Sequence, residues 1–190
     1  MRNVAALSLL LLNIAACGNT GPLVVQEMDP ATRVTVTRGT VPLVLYRDDS
    51  SRAAHARDFV YVGPLGVNRM GDYRYYLWLG IWSSLDDRAM SEQRDGFDSI
   101  VLFADGEPMR LELAGWTLSA IGVSQTVYNK PTATAADAYY PVTFDQIRLI
   151  AEATDIRLQT SAGRSVSYKP WDSQTTAMSG MEQFVRHENF

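Results

Sequence analysis

Four tryptophans, two histidines, one cysteine and a scatter of carboxylates are the side chains in this 190-residue chain that could do chemistry. His55 and His187 stand in polar surroundings far apart in sequence, which supplies a metal site poorly. A histidine-activated serine needs one of them beside a positioned hydroxyl, yet the chain has neither a G-x-S-x-G elbow nor an S-x-x-K. The adjacent acids Asp48-Asp49 and Asp86-Asp87 point different ways on a strand or helix, and neither fits a calcium loop. Two carboxylates could still converge in space for glycoside cleavage, which spacing alone leaves open. "GPLGVNRMG" has three glycines but precedes a strand, not a helix, so it is no phosphate loop. No catalytic residue, metal ligand or cofactor is assigned on these grounds.

The aromatic residues remain. In "DYRYYLWLGIWSS" (Asp72 to Ser84), one strand face carries Tyr76, Trp78 and Trp82; Trp116 and Trp171 lie further on. Exposed, such rings stack on a sugar or anchor a partner. Buried, they are core. Tyr76, Trp78, Trp82, Trp116 and Trp171 are the candidate binding residues, with core packing as the competing reading.

The single cysteine closes the run Val4 to Ala16, which is apolar except for Ser8 and Asn13 and follows Met1-Arg2. A short positive end, an apolar core and small residues before a cut site have the layout of a secretory signal peptide, and the run is too short to span a bilayer. Ile14-Ala15-Ala16-Cys17 resembles the lipobox of bacterial lipoproteins, with Ile14 where that family most often has Leu. The resemblance implies cleavage before Cys17 and acylation of its thiol and amine (palmitate among the usual chains). In that family an Asp after the cysteine favours inner-membrane retention, so Gly18 implies the outer membrane. Several acyl chains anchor stably where one alone is marginal. The segment "VYVGPLGVNRMGDYRYYLWLGIWSS" is similar to that of uncharacterised proteobacterial envelope lipoproteins, a likeness that implies no activity and no site.

Removing residues 1–16 leaves 174 residues and, with Arg2 gone, a net charge of −5. That acidity disfavours a nucleic-acid partner, which needs a basic face. The expected organisation is a signal peptide (1–16), a lipidated Cys17 with a flexible tether (17–32) and one globular domain (33–190). Strands are expected in "RVTVTR", "VPLVLY" and "RDFVYVG", the last ending at Gly63-Pro64, and in Asp72 to Ser84, where apolar side chains on both faces demand a central position. "FDSIVLFADGEPMRLEL" reads as a hairpin turning at Asp105-Gly106, its second arm at an edge because of Pro108. "GWTLSAIG" and "SQTVY" read as short strands and "NKPTATAADA" as a loop.

Thr143 and Gln146 have capping-box spacing before an amphipathic helix. "DIRLQT" and "SVSYK" form a hairpin, and a last helix opens after an Asp172/Ser173 cap. The expected class is α+β: a mostly antiparallel sheet with two C-terminal amphipathic helices, the alternative being a β-sandwich with appended helices. The expected function is that of an outer-membrane-anchored periplasmic lipoprotein, a non-catalytic protein-binding or structural component of the cell envelope. A glycan- or small-ligand-binding domain is the alternative, and an envelope hydrolase the third reading.

Overall fold

The computed structural model describes residues 21–85, 90–161 and 166–189. Its strands are β1 (Val24–Met28), β2 (Thr35–Gly39), β3 (Leu43–Asp48), β4 (Arg57–Arg69), β5 (Asp72–Ser83), β6 (Ser99–Ala104), β7 (Glu107–Glu112), β8 (Ala136–Val142), β9 (Ile156–Thr160) and β10 (Val166–Pro170); its helices are α1 (Met90–Arg94), α2 (Phe144–Glu152) and α3 (Thr175–Glu188). This is a strand-dominated α+β fold in which every strand pairing is antiparallel.

The long hairpin β4–β5 organises the rest. It pairs from Asp58↔Ser83 to Arg69↔Asp72. Met70 (φ 52) and Gly71 (φ 97) make its two-residue turn, with the positive φ values that match strand twist. β5 lies between β4 and β8, as its two apolar faces require. On the outer side of β4, β3 runs along the first half and β2 along the second. Gly63-Pro64 falls at the changeover, so the strand continues past the pair that was expected to end it. Pro64 lacks a ladder N–H where no flanking strand needs one, and its carbonyl accepts from the Tyr128 hydroxyl at 2.8 Å. From β3 the sheet continues through β10, β9 and β6 to β7. It then curls back, since Gly115, just after β7, bridges Tyr139 of β8.

Strand alternation divides the side chains between two cores. Inside the curl, Leu43, Leu45, Val60, Val62, Leu77, Leu79, Leu102 and Leu158 pack with Ile150 and Ala151 of α2 and Ala177 and Met181 of α3. On the outer face, Leu65, Val67, Tyr76, Trp78 and Tyr139 pack beneath Ile121, Val123, Val127 and Tyr128. The segment supplying that lid holds a 3-10 turn at Leu118–Ile121 and no named strand, which corrects the two short strands expected there. Its apolar residues are spaced to cover a sheet face, not to extend one.

Several boundaries move. Residues 24–28 belong to the domain and not to a tether: Val24↔Gly39 through Met28↔Thr35 pair β1 to β2. Asp29 locks the turn by accepting from the amides of Ala31 (3.0 Å) and Thr32 (3.2 Å). Sequence reading missed β8, which begins inside the stretch read as a loop, because its small and aromatic residues lack a clear alternation. The capping box of α2 forms as expected, Gln146 N donating to Thr143 Oγ1 and Thr143 N to Gln146 Oε1. α3 instead starts after Gln174, which makes no side-chain cap; its side-chain carbonyl accepts from Val44 N at 3.0 Å, tying the helix start to β3. α1 was not anticipated. The Asp105-Gly106 hairpin is present, and β7 pairs with β6 alone, as an edge strand containing Pro108 should.

Candidate functional site

The five candidate aromatics do not form one site. Trp78 is fully buried and Tyr76 nearly so. Trp78 stacks on Tyr128 at 4.5 Å and donates Nε1–H to Asp137 Oδ1 at 2.9 Å; Lys130 Nζ meets the other Asp137 oxygen at 2.9 Å. For these two residues the core reading is correct. Gly63 and Gly80 make room for the stack, because a Cβ on Gly63 would stand 2.4 Å from the Tyr128 ring and one on Gly80 2.6 Å from Trp78. Trp116 lies apart, half-buried against the inner core, with the Arg94 guanidinium 4.9 Å from its ring centre.

Trp82 and Trp171 do come together, through residues that the sequence did not single out. The pairings Lys169↔Tyr46, Tyr46↔Phe59 and Phe59↔Trp82 set four side chains in one row across β10, β3, β4 and β5. At the usual strand spacing this row is ~14 Å long. Trp171 continues from β10, its amide bonded to the Val44 carbonyl. Its ring meets Tyr46 edge-on at 4.9 Å and Phe59 at 5.4 Å. Phe59 and Trp82 stack at 4.6 Å, and Tyr61 meets Trp82 edge-on at 6.3 Å. Arg57 lies 4.9 Å from the Trp171 ring centre and 5.8 Å from that of Tyr46; Lys169 Nζ is 5.1 Å from Tyr46.

All five rings are half-buried. They occupy the outer sheet face beyond the part that the Tyr128 segment covers. The strip therefore continues the second core beyond the segment that, among the described residues, covers it. Its signal in the sequence was the alternation in "DFVYVG", which sets Phe59 and Tyr61 on one face; only strand register shows that this face is also that of Trp82.

Geometry limits what the strip can do. Phe59 and Trp82 each cover one face of the other, and edge contacts and two cations hold the remaining rings. Each aromatic pair contributes ~0.5–1.5 kcal/mol, so the rings are already ordered before anything binds, which reduces the entropy lost on binding. What they offer outward is a firm apolar, aromatic surface with cationic edges. Arg57 is held by Asp48 at 3.1 Å. Among the described residues Lys169 has no carboxylate within 4.0 Å. Four cavities lined by described residues have no tryptophan in their walls.

The other chemistry-bearing residues are placed as follows. His55 and His187 are exposed. Asp49 accepts from Ser51 Oγ at 2.6 Å, and the half-buried Arg47, with Nη2 2.5 Å from Asp58, forms an ionic group with the buried Asp58 and Asp49. Burial opposes the charge on Arg47, but Tyr168 and the two carboxylates more than offset it and raise its pKa. Asp105 bonds the Thr154 hydroxyl and the amides of Thr154 and Asp155, a structural task. Cys17 and Asp86-Asp87 lie outside the described residues.

Comparison with protein-family models, with curated proteins and with solved structures finds no match to this chain.

Proposed function

We propose that this protein is a lipid-anchored component of the bacterial cell envelope, held by Cys17 in the outer membrane with its domain in the periplasm, and that it works by binding and not by catalysis. The aromatic strip of Tyr46, Phe59, Tyr61, Trp82 and Trp171 carries this reading. The domain has two cores without it, yet the chain keeps five ordered rings and two cations on an outer face. Half-exposed Trp and Tyr rings beside cationic groups suit a surface that takes a partner. Rings packed on one another in a row across a sheet face favour a surface that receives an apolar partner over a glycan platform.

Two experiments test the proposal in intact cells. Palmitate labelling and fractionation should place the wild type in the membrane, whereas Cys17→Ser should lose the label and leave the membrane fraction; a variant still acylated and membrane-bound removes the anchor. A photo-crosslinking residue at position 61 should capture a discrete species, and one at the exposed Leu149 of α2 should not. Equal, diffuse capture at both positions would remove the strip as the binding surface.

A further inference from the structure

From the strip and the short leash before β1 we infer that the partner of the aromatic strip is the bilayer itself: the domain lies with this face against the membrane that holds Cys17. The inference rests on the lipid anchor proposed above and names what the strip binds. Since β1 begins at Val24, only six residues, 18–23, separate it from Cys17, a span of seven residue steps. Such a leash reaches at most ~25 Å when fully extended. A domain of this size is ~40 Å across, so a leash shorter than that diameter keeps a side near the start of β1 toward the headgroups and the far side away from them. A tether running to residue 32 would have reached ~55 Å.

The strip is the side suited to that contact, and it is close to the leash. Val24 pairs with Gly39, whose neighbour Arg38 pairs with Leu65. The leash therefore ends two strands from β4 and about level with Pro64, five residues from Phe59. At ordinary strand dimensions the two points are ~20 Å apart. Trp, Tyr, Arg and Lys together are the side chains that settle at a membrane interface, with apolar ring bodies and polar or charged ends. The α2–α3 side, by contrast, presents Arg148, Glu152, Glu182 and Arg186 around its groove, a mixed-charge surface suited to water. With the chain acidic as a whole, the contact is driven by aromatic burial, and Arg57 and Lys169 add local attraction to lipid phosphates.

The test uses the full acylated chain purified from membranes and reconstituted in vesicles of phosphatidylethanolamine and phosphatidylglycerol, with and without brominated acyl chains. Brominated lipid should reduce tryptophan emission. That loss should shrink to background in Trp82→Phe/Trp171→Phe and persist in Trp116→Phe. The double variant keeps aromatic rings at both positions, and its circular dichroism is compared with the wild type. The mass of the Cys17 peptide is read on the same samples. Acylated protein with no quenching, or with quenching that the double variant retains, overturns the membrane contact while leaving the anchor standing. An unmodified Cys17 overturns both. A protein captured from position 61 in cells, with no lipid adduct there, assigns the strip to a protein partner and also overturns the inference.

Discussion

At the scale of single residues, Trp78 and Trp82 are two positions apart on one face of β5 and have opposite roles. Trp78 is closed in by Tyr128 and tied to Asp137, so Trp78→Ala should lower unfolding free energy by ~3–5 kcal/mol in urea titrations. It is a poor probe of binding. Trp82 is half-buried, and its indole N–H is covered without a hydrogen-bond partner among the described residues. Phenylalanine there preserves a ring against Phe59 and removes the unmet donor, whose burial costs ~1–3 kcal/mol. Trp82→Phe should therefore be at least as stable as the wild type in the same titration. Gly63→Ala should be destabilised by ~1–3 kcal/mol, since its Cβ would collide with the Tyr128 ring.

At the scale of elements, α2 and α3 differ in how their sequences support them. The capping box of α2 was legible because its two residues are local and their bonds lie within one turn. Thr143→Ala should lower the melting temperature, corresponding to ~1 kcal/mol. α3 has no side-chain cap, and Gly180 interrupts its apolar face. A Cβ at Gly180 would meet the carbonyl oxygens of Leu23 and Val41 at 3.8 and 3.9 Å, an ordinary contact. Gly180→Ala should therefore raise stability by ~1 kcal/mol through helix propensity, read as a higher melting temperature. β8 and the Leu118–Ile121 turn were illegible for the opposite reason: their conformations answer to a sheet edge and an apolar face supplied by residues far away in the chain.

At the scale of the molecule, acidity should loosen two joints that hold distant segments together. Asp29 joins the β1–β2 turn to the lid, bonding the Ser124 amide and hydroxyl, and these bonds with those from Thr32 and Ala31 hold its carboxyl well below the usual carboxylate range. Asp105 joins the β6–β7 turn to the start of β9, and bonds from Asp155 and Thr154 lower its pKa too. Both groups bind protons less readily folded than unfolded. Their contribution is complete above the unfolded pKa of ~3.9 and is lost as pH falls below it toward the folded values. The urea midpoint should fall between pH 5 and pH 2.5, and Asp29→Asn should reduce that fall. An unchanged acid dependence in the variant would show that Asp29 is not one of the joints. At the alkaline end, burial and Glu188 push the Tyr75 phenol up to about 12, so its contribution is complete below ~10 and fades as pH rises through 12.

The strand-dominated class, the central place of β5, the Asp105-Gly106 hairpin and the α2 cap were legible in the sequence. Each follows from local chemistry: apolar residues on both faces of a strand, positive-φ residues in a turn, or donors and acceptors three residues apart. Tertiary structure alone decided which aromatics are core and which form a surface. Trp78 and Trp82 share a strand, a face and a composition, and what separates them is a segment some 40 to 50 residues later in the chain that covers one and stops short of the other. The same holds for the leash. Whether residues 24–28 hang free or form a strand depends on the partner strand β2, whose pairing with them no composition reveals.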